Sequence, residues 1–378
     1  MRRFDLGMSV KYCPQWGVVE AVREFFQNGL DEERADSSHK FYWEYDPETM
    51  ELVVGNENCK LDTKSLLLGM TTKTGKAEMI GQHGEGYKVA TVVLMRLGKK
   101  VVIYNRKANE QWESKIVKSR RYQADVVVFD ISKISLFNRI QECSLVFSIQ
   151  GVTPEEFEAI KKSNLHLQTL DERDYISTEY GDILLDEAHS GRFYVGGLAV
   201  TRSKYAKYGY NFKPEMVSLD RDRSFMDNID TQFLCSKTLA ASGDPDLIYD
   251  AKSVWDGHYL QIYTGNVKAD FSIAFDRAYE AFVKKNGADA IPVTSQDEFN
   301  RLIRNGYKAV MVTDVERHFI SCSTHFRDTE YEVEDDNEAT IRQLQEWWSE
   351  YSGEHDDWYD RGNALIEAVS ELLSGEED

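Results

Sequence analysis

Residues 24–31 read Glu-Phe-Phe-Gln-Asn-Gly-Leu-Asp, within a stretch, residues 15–35, whose apolar positions recur with helical spacing. Glu24, Asn28 and Asp31 follow one another at intervals of four and three residues, so a helix places them on one face. A carboxylate one turn from a carboxamide can hold a water molecule beside Mg²⁺, which prefers oxygen ligands. The same pattern also suits a solvated polar stripe, and this segment alone leaves both interpretations open.

A second polar segment follows further along the chain. Residues 53–61, Val-Val-Gly-Asn-Glu-Asn-Cys-Lys-Leu, predict a strand that ends in a short polar loop. Such a loop can place one side-chain acceptor at the mouth of a pocket. An Asn-rich turn, chosen because Asn tolerates left-handed backbone, is the alternative.

A third segment, residues 80–90, reads Ile-Gly-Gln-His-Gly-Glu-Gly-Tyr-Lys-Val-Ala. Gly81, Gly84 and Gly86 allow the backbone to curl, so that N–H groups and the start of the next helix face an anion. An ordinary tight loop is the competing interpretation. The segment does not follow a strand directly and lacks a Gly-Lys-Ser/Thr ending, which argues against a dinucleotide-binding fold and against a P-loop.

In this order and spacing, the three segments resemble the nucleotide site of the GHKL (Bergerat-fold) ATPase superfamily. That superfamily includes gyrase B subunits, ninety-kilodalton heat-shock chaperones, sensor histidine kinases and MutL proteins. The resemblance covers residues 15–165, and the loop at 80–87 is most similar to the chaperone branch. It implies an α+β fold: a two-layer α/β sandwich of the GHKL type, then a transducer-like α/β domain and an acidic helical C-terminal end.

The resemblance also implies ATP and Mg²⁺ as ligands and gives roles to individual residues. Glu24 corresponds to the general base that polarises the attacking water, and Asn28 to the Mg²⁺ ligand. The remaining matches are Asp31 as a supporting pocket residue, Thr72 and Lys73 as the lid hinge, and Gly81, Gly84 and Gly86 as the phosphate-side lid loop.

The sequence departs from the family at the second motif, where the family has Asp-x-Gly-x-Gly. Asn56 stands at the position of the Asp that receives the adenine amino group, and Glu57 is a second candidate for that contact. An Asn oxygen can accept the same hydrogen bond, but more weakly than a carboxylate. Beyond the first domain, Arg221 resembles the γ-phosphate contact, with Arg223 as its rival; a salt-bridged surface turn is the alternative.

Periodicity predicts the course of the chain around these motifs. We expect a nucleotide-binding domain over residues 1–165, a transducer or middle-like domain over 166–290, and a small α/β layer with acidic C-terminal helices over 291–378. The predicted elements are strands at 40–46, 50–54, 100–105, 112–117, 124–131 and 144–149, a helix from Tyr87 to Arg96, a strand at His258–Tyr263, a helix at Ile273–Lys285, and a strand–helix–strand unit over 290–312.

Charge is distributed unevenly. The 378 residues include 45 Lys and Arg and 65 Asp and Glu, a formal net charge of −20, and residues 328–378 alone contribute −16. This argues against nucleic acid as the main ligand and against a membrane surface, since both require basic protein surfaces. The acidic end suits a basic protein partner instead.

Cysteine usage points to the reducing cytoplasm. The five cysteines are odd in number, with no Cys-x-x-Cys pair and no Cys/His cluster at zinc spacing. We therefore expect no metal other than Mg²⁺.

The resemblance predicts an ATPase whose slow, Mg-dependent hydrolysis drives a conformational switch of a lid or of a nucleotide-dependent homodimer. The alternative is a regulator or inhibitor that binds nucleotide without hydrolysing it and docks a basic protein surface through its acidic C-terminal segment.

Overall fold

The computed structural model describes residues 1–66, 86–217, 228–265 and 270–327, and, in the C-terminal end, residues 341–342, 344–346, 348 and 362–369. The chain forms two compact units, Met1–Ser242 and Gly243–Asp378. Both units mix helices with strands, and the largest sheet is antiparallel throughout, so the fold belongs to the α+β class. The finer division into three domains stays a prediction.

The first unit contains a seven-stranded sheet. Its strands are β1 (Arg2–Ser9), β2 (Phe41–Asp46), β3 (Glu51–Asn56), β4 (Lys100–Asn105), β5 (Glu110–Ser119), β6 (Ala124–Lys133) and β7 (Leu145–Gln150). Their order in the sheet is β1-β6-β5-β4-β7-β3-β2, with every neighbouring pair antiparallel. All six strands predicted over residues 40–150 are thereby confirmed, with small shifts at their ends.

Three helices accompany this sheet: α1 (Val18–Ala35), α2 (Gly86–Arg96) and α3 (Pro154–Lys162). α1 and α2 pack against each other, α1 against β3, and α2 against β4. Phe26 of α1 shares one apolar core with Trp112 of β5 and Phe129 of β6, and all three are fully buried. Burial of such large side chains is the main stabilising contribution in this layer.

The N-terminal strand β1 was not predicted, because its first half carries charged side chains rather than an alternating apolar pattern. Backbone pairing and an ion pair attach β1 to β6. Arg3 lies opposite Asp130 in the register, and its Nε and Nη2 donate to the two carboxylate oxygens at 2.7 and 2.9 Å. Lys115 Nζ lies 3.1 Å from the same carboxylate.

Asp130→Asn should lower the free energy of unfolding at pH 7 by about 1–2 kcal/mol. Chiefly through the hydrogen bond from Arg3, the folded state lowers the pKa of Asp130 to about 2. The stabilisation is thus complete above the unfolded-state pKa and is lost as the pH falls from about 5 to about 2. The figure is reduced for solvent screening because Arg3 is 55% exposed.

Urea titrations followed by tryptophan fluorescence at pH 7 and pH 3 measure this effect. The difference between the wild type and Asp130→Asn should shrink at pH 3. The exposed acid Asp125 on the same strand supplies the control Asp125→Asn, which should change stability little. A pH-independent difference between the wild type and Asp130→Asn would contradict the ionic origin.

A second, five-stranded sheet lies in the first unit. It consists of β8 (Tyr175–Ser177), β9 (Gly181–Leu184), β10 (Arg192–Val195), β11 (Leu198–Arg202) and β12 (Gly209–Phe212), in the order β11-β10-β12-β9-β8. β10 and β12 are parallel, and the other pairs are antiparallel. The helix α4 (Asn228–Ala241) follows and contacts β9.

The second unit begins with helices. Its elements are α5 (Pro245–Ala251), α6 (Leu260–Tyr263), α7 (Ser272–Asn286), β13 (Ala290–Val293), α8 (Gln296–Arg304), β14 (Lys308–Met311) and α9 (Asp314–Ser321). β13 and β14 pair in parallel. The predicted helix at Ile273–Lys285 and the strand–helix–strand unit are confirmed.

The strand predicted at His258–Tyr263 is wrong, because this segment contains the short helix α6. Leu260 and Thr264 are both buried, and the Thr264 hydroxyl donates to the Leu260 carbonyl at 3.0 Å. Burial at a spacing of four is a helical pattern, and the run of apolar and aromatic residues concealed it.

Most of the acidic end falls outside the described residues. Residues 362–369 are helical, where a helix was predicted. A Cβ on Gly362 would lie 2.0 Å from the Trp348 ring, so the ring packs on this glycine. None of the described helices is long and apolar enough to cross a membrane.

Candidate functional site

α1 places Glu24, Asn28 and Asp31 as its sequence predicts, and it buries two of them. Glu24 is 1% exposed and Asp31 is fully buried, whereas Asn28 is partly exposed. A solvated polar stripe would leave all three in water, so the burial argues against that interpretation. Buried carboxylates are costly unless charge or hydrogen bonding compensates them, and they are therefore concentrated at sites with a specific role.

Arginines of the same helix lie beside both carboxylates. Arg23 Nη2 is 4.0 Å from Glu24 Oε1, and Arg34 Nη1 is 3.6 Å from Asp31 Oδ1. Each positive charge offsets part of the cost of burying a carboxylate.

The carboxamide of Asn28 has a defined orientation. Its Nδ2 donates to the Glu24 carbonyl oxygen, one turn earlier, at 2.8 Å. Because the partner is a carbonyl, which only accepts, the nitrogen must face it. Oδ1 is then the end of the side chain that can bind a cation.

The start of α2 approaches α1 at the two residues predicted to do chemistry. A Cβ on Gly86 would lie 2.2 Å from Glu24 Oε2 and 3.6 Å from Asn28 Nδ2. A methyl group at this position would therefore require the end of the Glu24 side chain to shift. The first and third motifs meet here.

The second motif joins the same region through Asn56. This residue is 5% exposed, and its Nδ2 donates to the carbonyls of Gly29 and His39, both at 2.9 Å. The two bonds connect the end of β3 to α1 and to the segment before β2. Since both partners are carbonyls, Oδ1 is the atom of Asn56 that can accept from a ligand.

Gly29 allows α1 to lie close to the sheet. A Cβ at this position would come within 2.2 Å of the Phe41 ring in β2. The glycine next to Asn28 in the first motif therefore has a packing role.

Glu57, the second candidate for the adenine contact, is already engaged. The Tyr42 hydroxyl donates to Glu57 Oε1 at 2.8 Å, and this hydrogen bond raises the pKa of Tyr42. Glu57 is partly exposed at the start of the loop after β3. The geometry thus favours Asn56 over Glu57 as the candidate for the adenine contact, because Asn56 bonds to α1.

Several candidate residues lie outside the described ranges. They are Thr72, Lys73, Gly81, Gly84, Arg221 and its rival Arg223. Their assigned roles stay predictions.

Two charged residues near the site were not predicted. Arg23 Nη1 donates to the carbonyl of Ala199 in β11 at 3.1 Å, which connects α1 to the five-stranded sheet. Lys88 in the first turn of α2 is fully buried. The available signal for Lys88 was its position as the one charged residue in the apolar run from Tyr87 to Met95.

A further group was missed because its members are distant in sequence. Ligand atoms of Glu32, His39 and Cys59 lie within 4.8 Å of one another. The sequence showed no Cys/His pair at zinc spacing because two different strand ends supply the His and the Cys.

Neither a protein-family model nor a curated protein sequence matches this chain. The functional argument therefore depends on the residues and their geometry.

Proposed function

We propose that this protein binds Mg-ATP between α1, the end of β3 and the start of α2, and hydrolyses it slowly in the manner of GHKL ATPases. The observation that carries the proposal is the close approach of Gly86 to Glu24 and Asn28. The first and third motifs, in the order of a GHKL nucleotide site, thereby supply a buried carboxylate, an oriented carboxamide and the start of α2 to one region. A GHKL-type two-layer sandwich, with the five-stranded sheet as transducer, is the corresponding fold proposal.

The residues fit Mg²⁺ by their chemistry. Asn28 would hold the ion through Oδ1, because its Nδ2 is committed to the Glu24 carbonyl. Bound there with the nucleotide, Mg²⁺ would neutralise phosphate charge. The N–H groups at the start of α2 would face the phosphates, as helix N-termini commonly do.

Glu24 is assigned the proton transfer. Its carboxylate would orient a water molecule in line with the γ-phosphate and accept a proton from it. Glu24 is only 1% exposed, so bulk water is kept away from its carboxylate and does not compete with the bound water molecule. Asn56 would accept from the adenine amino group through Oδ1.

Arg23 offers a route from the site to the rest of the first unit. It neighbours Glu24 and bonds to the carbonyl of Ala199 in β11. A movement of the Glu24 carboxylate would therefore be transmitted to the five-stranded sheet through the Arg23 side chain. A nucleotide-driven switch, with or without a homodimer, would use such a connection.

A calorimetric titration of the full chain with a non-hydrolysable ATP analogue tests the proposal. We expect binding in the presence of Mg²⁺, and a loss of at least about tenfold in affinity for Asn28→Ala, since a metal ligand is removed. The matched control is Asn109→Ala, which removes an exposed-loop Asn at the turn before β5. Absence of binding by the wild type would overturn the proposal.

Steady-state phosphate release then separates the two predicted functions. A turning-over ATPase releases phosphate continuously, whereas a regulator that only holds nucleotide binds without release. The same preparations, measured with and without nucleotide by sedimentation, report whether a homodimer forms.

A further inference from the structure

We infer that Glu32, His39 and Cys59 form a zinc site at the junction of α1 with the strand pair β2 and β3. Their ligand atoms converge within 4.8 Å, and Glu32 Oε2 lies 3.6 Å from His39 Nδ1. Zinc bound tetrahedrally to oxygen, nitrogen and sulfur holds its ligand atoms about 3.3–3.6 Å apart. The ligand-atom distances, at most 4.8 Å, therefore need to contract by no more than about 1.2–1.5 Å to enclose the ion.

The imidazole of His39 is oriented for this role. Its Nδ1 is buried and has no hydrogen-bond partner among the described residues, although the side chain as a whole is 25% exposed. The opposite ring nitrogen, Nε2, lies 3.8 Å from the Asp36 carboxylate. Histidine ligands commonly donate the ring N–H on the side away from the metal to a carboxylate, and Asp36 is a carboxylate near that nitrogen, just beyond hydrogen-bond distance.

Backbone contacts hold the two strand ends that carry His39 and Cys59. Asn56 Nδ2 donates to the His39 carbonyl and Asn58 Nδ2 to the Ser38 carbonyl, both at 2.9 Å. On the other side, the Ser144 hydroxyl donates to the Cys59 carbonyl at 2.7 Å. The backbone at two of the three ligands is thus held by the fold before any ion binds, which lowers the ordering cost of binding.

The ligand chemistry selects zinc over magnesium. Thiolate and imidazole suit Zn²⁺, whereas Mg²⁺ and Ca²⁺ take oxygen ligands. Cys59 is 6% exposed and forms no disulfide, so its sulfur can serve as a ligand. Three protein ligands leave a fourth position for water.

This inference is independent of the proposed ATPase function, because none of its three ligands has a role in nucleotide chemistry. Asn56 nevertheless connects the two sites through the His39 carbonyl. Zinc would therefore also steady the loop that carries the candidate adenine contact.

Metal analysis of the full-length protein tests the site. Protein stripped with a chelator is titrated with Zn²⁺ in competition with a chromophoric chelator, and with Co²⁺ as a spectroscopic probe. We expect one tight equivalent and a thiolate-to-cobalt charge-transfer band. Cys59→Ser should abolish the band, and Cys59→Ser and His39→Gln should each weaken zinc binding at least about 100-fold, beyond the loss typical of an outer-shell partner.

The matched controls are Cys13→Ser and His258→Asn, which remove the same ligand types elsewhere and should leave the tight equivalent unchanged. Thermal unfolding of the wild type supplies a measurement that does not depend on a folded variant, because Zn²⁺ must raise the Tm if it binds the native state. No tight equivalent and no rise in Tm would overturn the site. Tight binding that survives both ligand substitutions would overturn it as well.

Discussion

Glu24→Gln is expected to retain Mg-ATP binding and to reduce phosphate release by about 10²–10⁴-fold, the usual contribution of a general base. Gln has nearly the shape of Glu, so it should fit the same buried position beside Gly86. Its amide cannot accept the proton from water at neutral pH. Binding and turnover should therefore separate in this variant.

The control is Glu33→Gln, the same exchange on the same helix. Glu33 Oε1 accepts from the Phe41 backbone N–H at 3.3 Å, and the Gln oxygen can keep that bond. We expect its phosphate release to match that of the wild type. Unchanged turnover in a folded Glu24→Gln protein would remove Glu24 as the base, while ATP binding by the wild type would still support the site.

Gly86→Ala is expected to lower the free energy of unfolding by about 1 kcal/mol, the lower end of the range for overpacked positions, because the clashing atom is the end of the Glu24 side chain. The new methyl group would lie 2.2 Å from Glu24 Oε2, and either α2 or the buried carboxylate must move. Either movement alters the spacing between the first and third motifs. Nucleotide binding should weaken in parallel.

A double-mutant cycle with Glu24→Ala isolates this contact. Removing the carboxylate makes room for the methyl group, so Gly86→Ala should cost less in that background, by about 0.5–1 kcal/mol. Gly265→Ala is the control because no atom of the described residues is found within 4 Å of its Cβ position. Additive effects of Gly86→Ala and Glu24→Ala would show that the two residues do not meet.

The proposed zinc site and the proposed nucleotide site share the short segment from Asn56 to Cys59. Asn56 bonds to α1 and to the His39 carbonyl, and Cys59 lies three residues later. Zinc release could then loosen the adenine side of the pocket. Comparing ATP-analogue affinity of stripped and zinc-loaded protein would measure that coupling.

The sequence supported strong local predictions where the pattern of one element was sufficient. The helical spacing of apolar residues located α1, and an apolar run after a Gly-rich turn located α2. Alternation located β2 and β3, and strand-like runs located β4 to β7. It failed at β1, where ladder pairing with β6 and the Arg3–Asp130 ion pair hold a strand with a charged first half. It also failed at α6, where burial of Leu260 and Thr264 distinguishes a helix from an apolar run.

The sequence by itself determined that Glu24, Asn28 and Asp31 share one face of a helix, because their spacing is helical. Their candidacy for a nucleotide site comes from the resemblance to GHKL proteins and stays a proposal. Only the tertiary structure decided that Glu24 and Asp31 are buried, that Gly86 touches Glu24, and that Asn56 faces α1 with its nitrogen. It alone brought Glu32, His39 and Cys59 together. The physical reason is that spacing specifies a face within one element, whereas strand pairing and helix packing specify which faces meet.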